Sequence, residues 1–298
     1  MMEFLRENQL NLIAYSTLAF SLLSFWISSN KIISITTFCA AIFLGLLSNN
    51  IQITSLYSIA ALGAALYLFY KKNFNILVKI LLFIFISALT VLLFIHKIPG
   101  YNNWQVYETI QLSETSAPFS FWLNFDKPII AFFLLAIAYH PTPKASQYKT
   151  IFAKTLPFVV VLAIILSLFA TLLHYVIIEP KLPNGIIITL WTVKMLCFTV
   201  IVEELFFRFF IQNHCIQLFS KLKHGTYIGL AVSSLLFALF HFAGGPSFVA
   251  LAFISGLIYG GIYLRTKHLE SAILLHFLIN VVHFFFFSYP TYLPPVIS

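Results

Sequence analysis

Residues 188–210 read ITLWTVKMLCFTVIVEELFFRFF, an apolar run that carries two adjacent glutamates, Glu203 and Glu204, with Arg208 one helical turn later. A bilayer span needs about 20 mainly apolar residues, and an ionisable group at that depth costs about 2.5 kcal/mol or more. The other seven acidic residues, Glu3, Glu7, Glu108, Glu114, Asp126, Glu179 and Glu270, fall at the N-terminus or between apolar runs. The run therefore points to a membrane protein whose submerged carboxylates face a protein interior or a watery cavity and have work to do there.

Composition agrees. Sixty per cent of the residues are hydrophobic and 9% are charged, with a mean hydropathy of +0.95, whereas charged residues make up about a quarter of a soluble domain. The fold class expected is all-α, a polytopic bundle of transmembrane helices. The N-terminal stretch MMEFLRENQLNLIAYSTLAF mixes its charges and runs straight into an apolar segment, so no cleaved signal peptide is expected. Cys39, Cys197 and Cys215 sit in or beside apolar runs with no metal-ligand spacing, and they read as small core residues. The formal charge of +8 fits lysines in cytoplasmic loops. No basic cluster argues for nucleic acid.

Ten spans are expected, near residues 10–27, 32–48, 53–70, 74–95, 128–140, 156–177, 186–211, 227–243, 248–264 and 271–287. Alternate connections differ in charge. One set holds Lys31, Lys71, Lys72, Lys144, Lys149, Lys154, Lys221, Lys223, Arg265 and Lys267; the other holds Arg6, Lys97, Lys127 and Lys181. Because basic loops stay in the cytoplasm, both termini are expected outside it, in what reads as a multi-pass protein of a bacterial cytoplasmic membrane. The long connection 96–127, rich in aromatic and turn residues, reads as an interfacial segment, a lid or a docking loop. Residues 1–125 would form an accessory set of helices, and residues 126–298 the functional core, since every residue with chemical promise follows position 190.

Residues four apart share a helix face, while neighbours diverge by about 100°. Glu204 can therefore pair with Arg208, which leaves Glu203 free, and a free buried carboxylate is a candidate general base. The later spans carry Phe237 with His241, and His276 with Asn280, each pair four residues apart. His276 and Asn280 can both donate to a developing oxyanion, and His241 can position a water against Glu203. His283, seven residues after His276, reads as a structural hydrogen-bonding group. The pocket is expected in the cytoplasmic half of the bundle.

Glu203-Glu204-x-x-x-Arg208, Phe237-x-x-x-His241 and His276-x-x-x-Asn280, in this order, resemble the three motifs of the CAAX protease and bacteriocin-processing family, over roughly residues 190–285. The resemblance implies a glutamic-type intramembrane endopeptidase similar to the type II CAAX prenyl endopeptidases. Glu203 would then activate water with His241, His276 and Asn280 would hold the oxyanion, and Glu204, Arg208 and Phe237 would support the site. It implies a membrane-embedded, lipidated or tailed peptide as substrate and partner alongside the lipid bilayer, and no cofactor. Two alternatives stay open. Glu203, His241 and His276 are all capable zinc ligands, and a silent immunity or binding protein could keep the same motifs.

Overall fold

The computed structural model describes residues 6–141 and 145–294. Lys144, counted above among the basic loop residues, lies outside them, as do the first five residues of the N-terminal stretch. Each predicted span coincides with a helix: α1 (Gln9–Ile27), α2 (Lys31–Leu47), α3 (Ser55–Lys71), α4 (Ile76–Phe94), α5 (Pro128–Ile137) and α6 (Ala145–Leu172), then α7 (Gly185–Leu218), α8 (Gly225–Leu239), α9 (Gly245–Thr266) and α10 (Leu269–Phe286). The chain is thus an integral membrane helical bundle, but not one of ten full spans. Six of these helices are long and apolar enough to cross a membrane. At a rise of about 1.5 Å per residue, the 10 residues of α5 reach only half of a hydrocarbon core about 30 Å thick. The 15 residues of α8 also fall short, because the chain breaks at Gly244, Gly245 and Pro246.

Side chains on α4 (Ile80, Leu81, Ile84, Phe85) and α6 (Val160, Val161, Ile164, Leu168) are exposed, large and apolar. In water such faces would be costly; in a bilayer they are solvated by lipid tails.

The chain divides into two compact units. The first takes in Met1–Val106, Trp122–Pro143 and Cys197–Val202. In it α1 packs along α2, where the Ser24 and Ser34 hydroxyls meet at 2.6 Å, and the Phe132 ring of α5 stacks on Phe38 at 3.7 Å. Tyr15 donates to the Leu123 carbonyl at 2.8 Å. The connection after α2 is tied to the one after α4: Gln52 N–H reaches Gly100 O, and Asn102 N–H reaches Asn50 O, both at 2.8 Å. His96 Nδ1 meets the buried Asp126 carboxylate at 2.6 Å.

The 96–127 connection is more ordered than an interfacial loop. It forms a two-stranded hairpin, β1 (Trp104–Ile110) and β2 (Phe119–Leu123), with Val106, Phe121 and Leu123 buried on alternating positions. It is the one sheet among the described residues.

The second unit takes in Tyr107–Phe121, Lys144–Leu196 and Glu203–Ser298. Its tail is laced in: Ser288 N–H donates to Ile177 O, Tyr292 N–H to Tyr175 O, and Ala117 N–H to Thr291 O, at 3.0, 2.9 and 2.9 Å. The α7–α8 corner depends on Gly229, where an added Cβ would lie 2.7 Å from the Ile216 amide nitrogen and 2.9 Å from its Cα. Small residues let membrane helices approach this closely. Because the obstacle is backbone, Gly229→Ala should destabilise the protein by about 1–3 kcal/mol, read as a lower midpoint of thermal unfolding in detergent. An unchanged midpoint would mean that the corner is slack.

Candidate active site

α7 is not a regular helix. Lys194–Val200 and Glu204–Gln212 are wound as π-helix on either side of the short α-helical turn Ile201–Glu203. Such segments are rare and cluster at functional sites, because the wider turn re-aims side chains. Here the second begins at the glutamate pair.

Glu204 and Arg208 are both fully buried, and Arg208 Nε donates to Glu204 Oε2 at 3.2 Å. The second carboxylate oxygen is also occupied: His276 Nδ1, from α10, meets Glu204 Oε1 at 2.9 Å. The motif spacing says nothing of this inter-helix contact, which joins the first motif to the third. Arg208 also lies over the Phe237 ring, with its Cζ 4.8 Å from the centroid, and its two terminal nitrogens make no hydrogen bond. Glu203, one residue earlier, is treated differently. Its Oε2 is buried and has no hydrogen-bond partner.

Phe237 explains the second motif. Its ring lies edge-on to His276 at 5.8 Å and 4.7 Å from the His241 ring. One turn later, past the end of α8, His241 Nδ1 sits 2.9 Å from the Phe237 carbonyl. A carbonyl only accepts, so Nδ1 carries the proton, and in the neutral ring Nε2 is left as an acceptor. On α10, Asn280 Nδ2 donates to the Met195 thioether at 3.2 Å. Sulfur is a weak acceptor, so this donor is cheaply redirected to a better one.

Four of the sequence candidates, Phe237, His241, His276 and Asn280, line one cavity of about 110 Å³. Tyr259 of α9 also lines it, and its ring stacks on His276 at 4.5 Å. Glu203, Glu204 and Arg208 are not among its lining residues; Glu204 and Arg208 stand behind it, against His276 and Phe237. The other end is apolar, formed by Leu166, Ala170, Val176, Leu251 and Phe287. That end faces the C-terminal ends of α6 and α10 and the start of α9, away from the basic connections that follow α5, α7 and α9. α8 stops after 15 residues, which leaves His241 at the helix end opposite the 219–225 connection. Next to that apolar end, Lys181 donates to the Phe287 carbonyl, and burial holds its pKa below the ordinary lysine value, with Glu179 opposing. His283 lines the same cavity; its Nε2 makes no hydrogen bond, while the ring is hydrogen-bonded to the backbone at Ser288 and Pro290, as the structural role expected of it requires.

Among the described residues no three His, Cys, Asp or Glu side chains stand close enough to hold a metal ion, so Glu203, His241 and His276 are not gathered as a ligand set.

Residues 184–282 match the family model described as type II CAAX prenyl endopeptidase Rce1-like. This third of the chain is similar to the CAAX prenyl endopeptidases. The family match begins at the residue before α7 and ends within α10, so it covers the ion network and both histidine motifs. No curated protein and no solved structure matches the chain. Within the matched segment the carboxylate of Glu204 is shared by two basic groups. Removing it by Glu204→Ala would leave Arg208 buried and uncompensated, and should cost about 3–5 kcal/mol. Replacing Glu204 and Arg208 together by Leu and Met should cost much less. Thermal unfolding of the single and double variants in detergent checks this, and equal losses would contradict it.

Proposed function

We propose that the protein is an intramembrane endopeptidase in which Glu203 activates a water molecule. The observation that carries this reading is the contrast between adjacent carboxylates: Glu204 is saturated by Arg208 and His276, while Glu203 keeps a buried oxygen with no partner. A carboxylate spared from the structural network is one that can take a proton.

Water attacks the carbonyl carbon of the scissile amide as one proton passes to Glu203, while the bare Nε2 of His241 accepts a hydrogen bond from the O–H that stays on the attacking oxygen. The C=O electron pair moves onto oxygen, giving a tetrahedral oxyanion. His276 Nε2 and Asn280 Nδ2 are the donors for it. Since Nδ1 of His276 is engaged by Glu204, an Nε2–H donor requires the doubly protonated ring, whose charge the Glu204 carboxylate balances. Collapse of the intermediate re-forms C=O, breaks the C–N bond, and returns the proton from Glu203 to the leaving amine, yielding one new carboxyl and one new amino terminus.

The substrate is a membrane-embedded or lipidated peptide near one of its termini, because the cavity is reached among helices whose outer faces are apolar. Prenylated C-termini are the class that the family points to. The protein needs no cofactor in this scheme and resides as a multi-pass protein in a bacterial cytoplasmic membrane, with its basic loops in the cytoplasm. Residues 126–298 would carry the chemistry, with the N-terminal helices as an accessory set.

Glu203→Gln should abolish processing while leaving the unfolding midpoint unchanged, because it removes the base and nothing that is bonded. Comparing the membrane proteomes of wild-type and Glu203→Gln cells for new peptide termini is the direct test. Identical termini in both would rule out the mechanism.

A further inference from the structure

We propose that Tyr259 is a positioning residue for the oxyanion-binding histidine: it clamps the His276 imidazole against Phe237 so that Nδ1 stays on Glu204 and Nε2 stays on the cavity. This rests on the proteolytic reading above and adds to it a residue that none of the three motifs contains.

The Tyr259 ring is 2% exposed and lies nearly parallel to the His276 ring, with centroids 4.5 Å apart and planes inclined by 18°. On another side of the imidazole, Phe237 presents its ring at 86° and 5.8 Å, and Phe237 and Tyr259 themselves meet edge to face at 6.2 Å. Three aromatic rings thus enclose one another, and the imidazole has one polar contact, at Nδ1, to set its remaining freedom. A hydrogen bond at one atom fixes where that atom lies; the plane of the ring is fixed by what touches its faces.

The chain places Tyr259 deliberately between small residues. Gly256 and Gly260 flank it by three and one positions on α9, and at Gly256 an added Cβ would approach Ser234 and Phe237 at 3.2–3.3 Å. The glycines bring α9 against α8, and the approach delivers the Tyr259 ring to α10. In the sequence GLIYGG the tyrosine reads as an aromatic between packing glycines; its stacking partner is a property of the fold alone.

The test uses the full-length protein in detergent with a farnesylated, internally quenched CAAX-type peptide. Tyr259→Leu should lower kcat by roughly 10-fold to 100-fold, the scale expected for misplacing a reacting group by about 1 Å, with KM little changed. Tyr259→Phe, which keeps the stacking ring, should restore kcat to near the wild-type value. Glu203→Gln is run beside them. If wild type and Glu203→Gln are equally inactive, the failure belongs to the proteolytic reading; if Glu203→Gln is inactive but Tyr259→Leu matches wild type, the clamp is wrong. A second readout does not depend on turnover. Carbethoxylation of His276 by diethyl pyrocarbonate, followed by mass spectrometry, should accelerate several-fold in Tyr259→Leu and not in Tyr259→Phe. An unchanged rate in Tyr259→Leu overturns the proposal whatever the peptide does, and a loss of kcat in Tyr259→Phe equal to that in Tyr259→Leu assigns the effect to the hydroxyl instead.

Discussion

A carboxylate with no exposure, held by a guanidinium from its own helix and an imidazole from another, organises the second unit. Glu204 could not be buried alone: the desolvation cost of a lone charge runs to several kcal/mol, and Arg208 by itself occupies only one of its oxygens. His276 takes the other. This sets the rotation of α7 relative to α10 and brings the cavity-facing edge of the imidazole beside Asn280. Phe237 then packs under Arg208 and against both histidines, so the three motifs meet through one ion network and one aromatic ring.

The same arrangement separates two jobs that adjacent identical residues would otherwise share. Holding helices together and accepting a proton from water make opposite demands on a carboxylate. The first wants every lone pair filled, the second wants one left open. The chain answers by placing the two glutamates where the winding of α7 changes, so that one falls in the packed seam and the other keeps a free oxygen.

Much of this was legible in the sequence, and what was not has physical reasons. Helix positions followed from apolar run length, and the Glu204–Arg208 pair followed from a spacing of four. The number of full spans did not follow, since a run of apolar residues does not say whether its helix stops at 10 or 20 residues. The hairpin was missed although its signal was present: QVYETI and FSFWL alternate in the period of a strand, but the segment was read for its aromatic content instead. The contact between Glu204 and His276, and the stacking of Tyr259, were out of reach, because they depend on how separate helices are rotated, which a single chain's periodicity does not encode.

The two π-wound segments of α7 carry a further consequence. A π-turn contains one residue more than the α-turn it replaces, so the helix holds surplus length that is locked in by its neighbours. Deleting a single residue between Lys194 and Val200 would let that turn relax to ordinary α geometry with every hydrogen bond kept. The segments on either side would keep their phase, because the π-turn and the α-turn that replaces it sweep the same angle; only side chains within the turn would be re-aimed. A deletion elsewhere in α7, with no surplus residue to absorb it, would instead turn everything beyond by about 100° relative to α10 and break the seam, so the wide turns are where this helix accommodates a change of length.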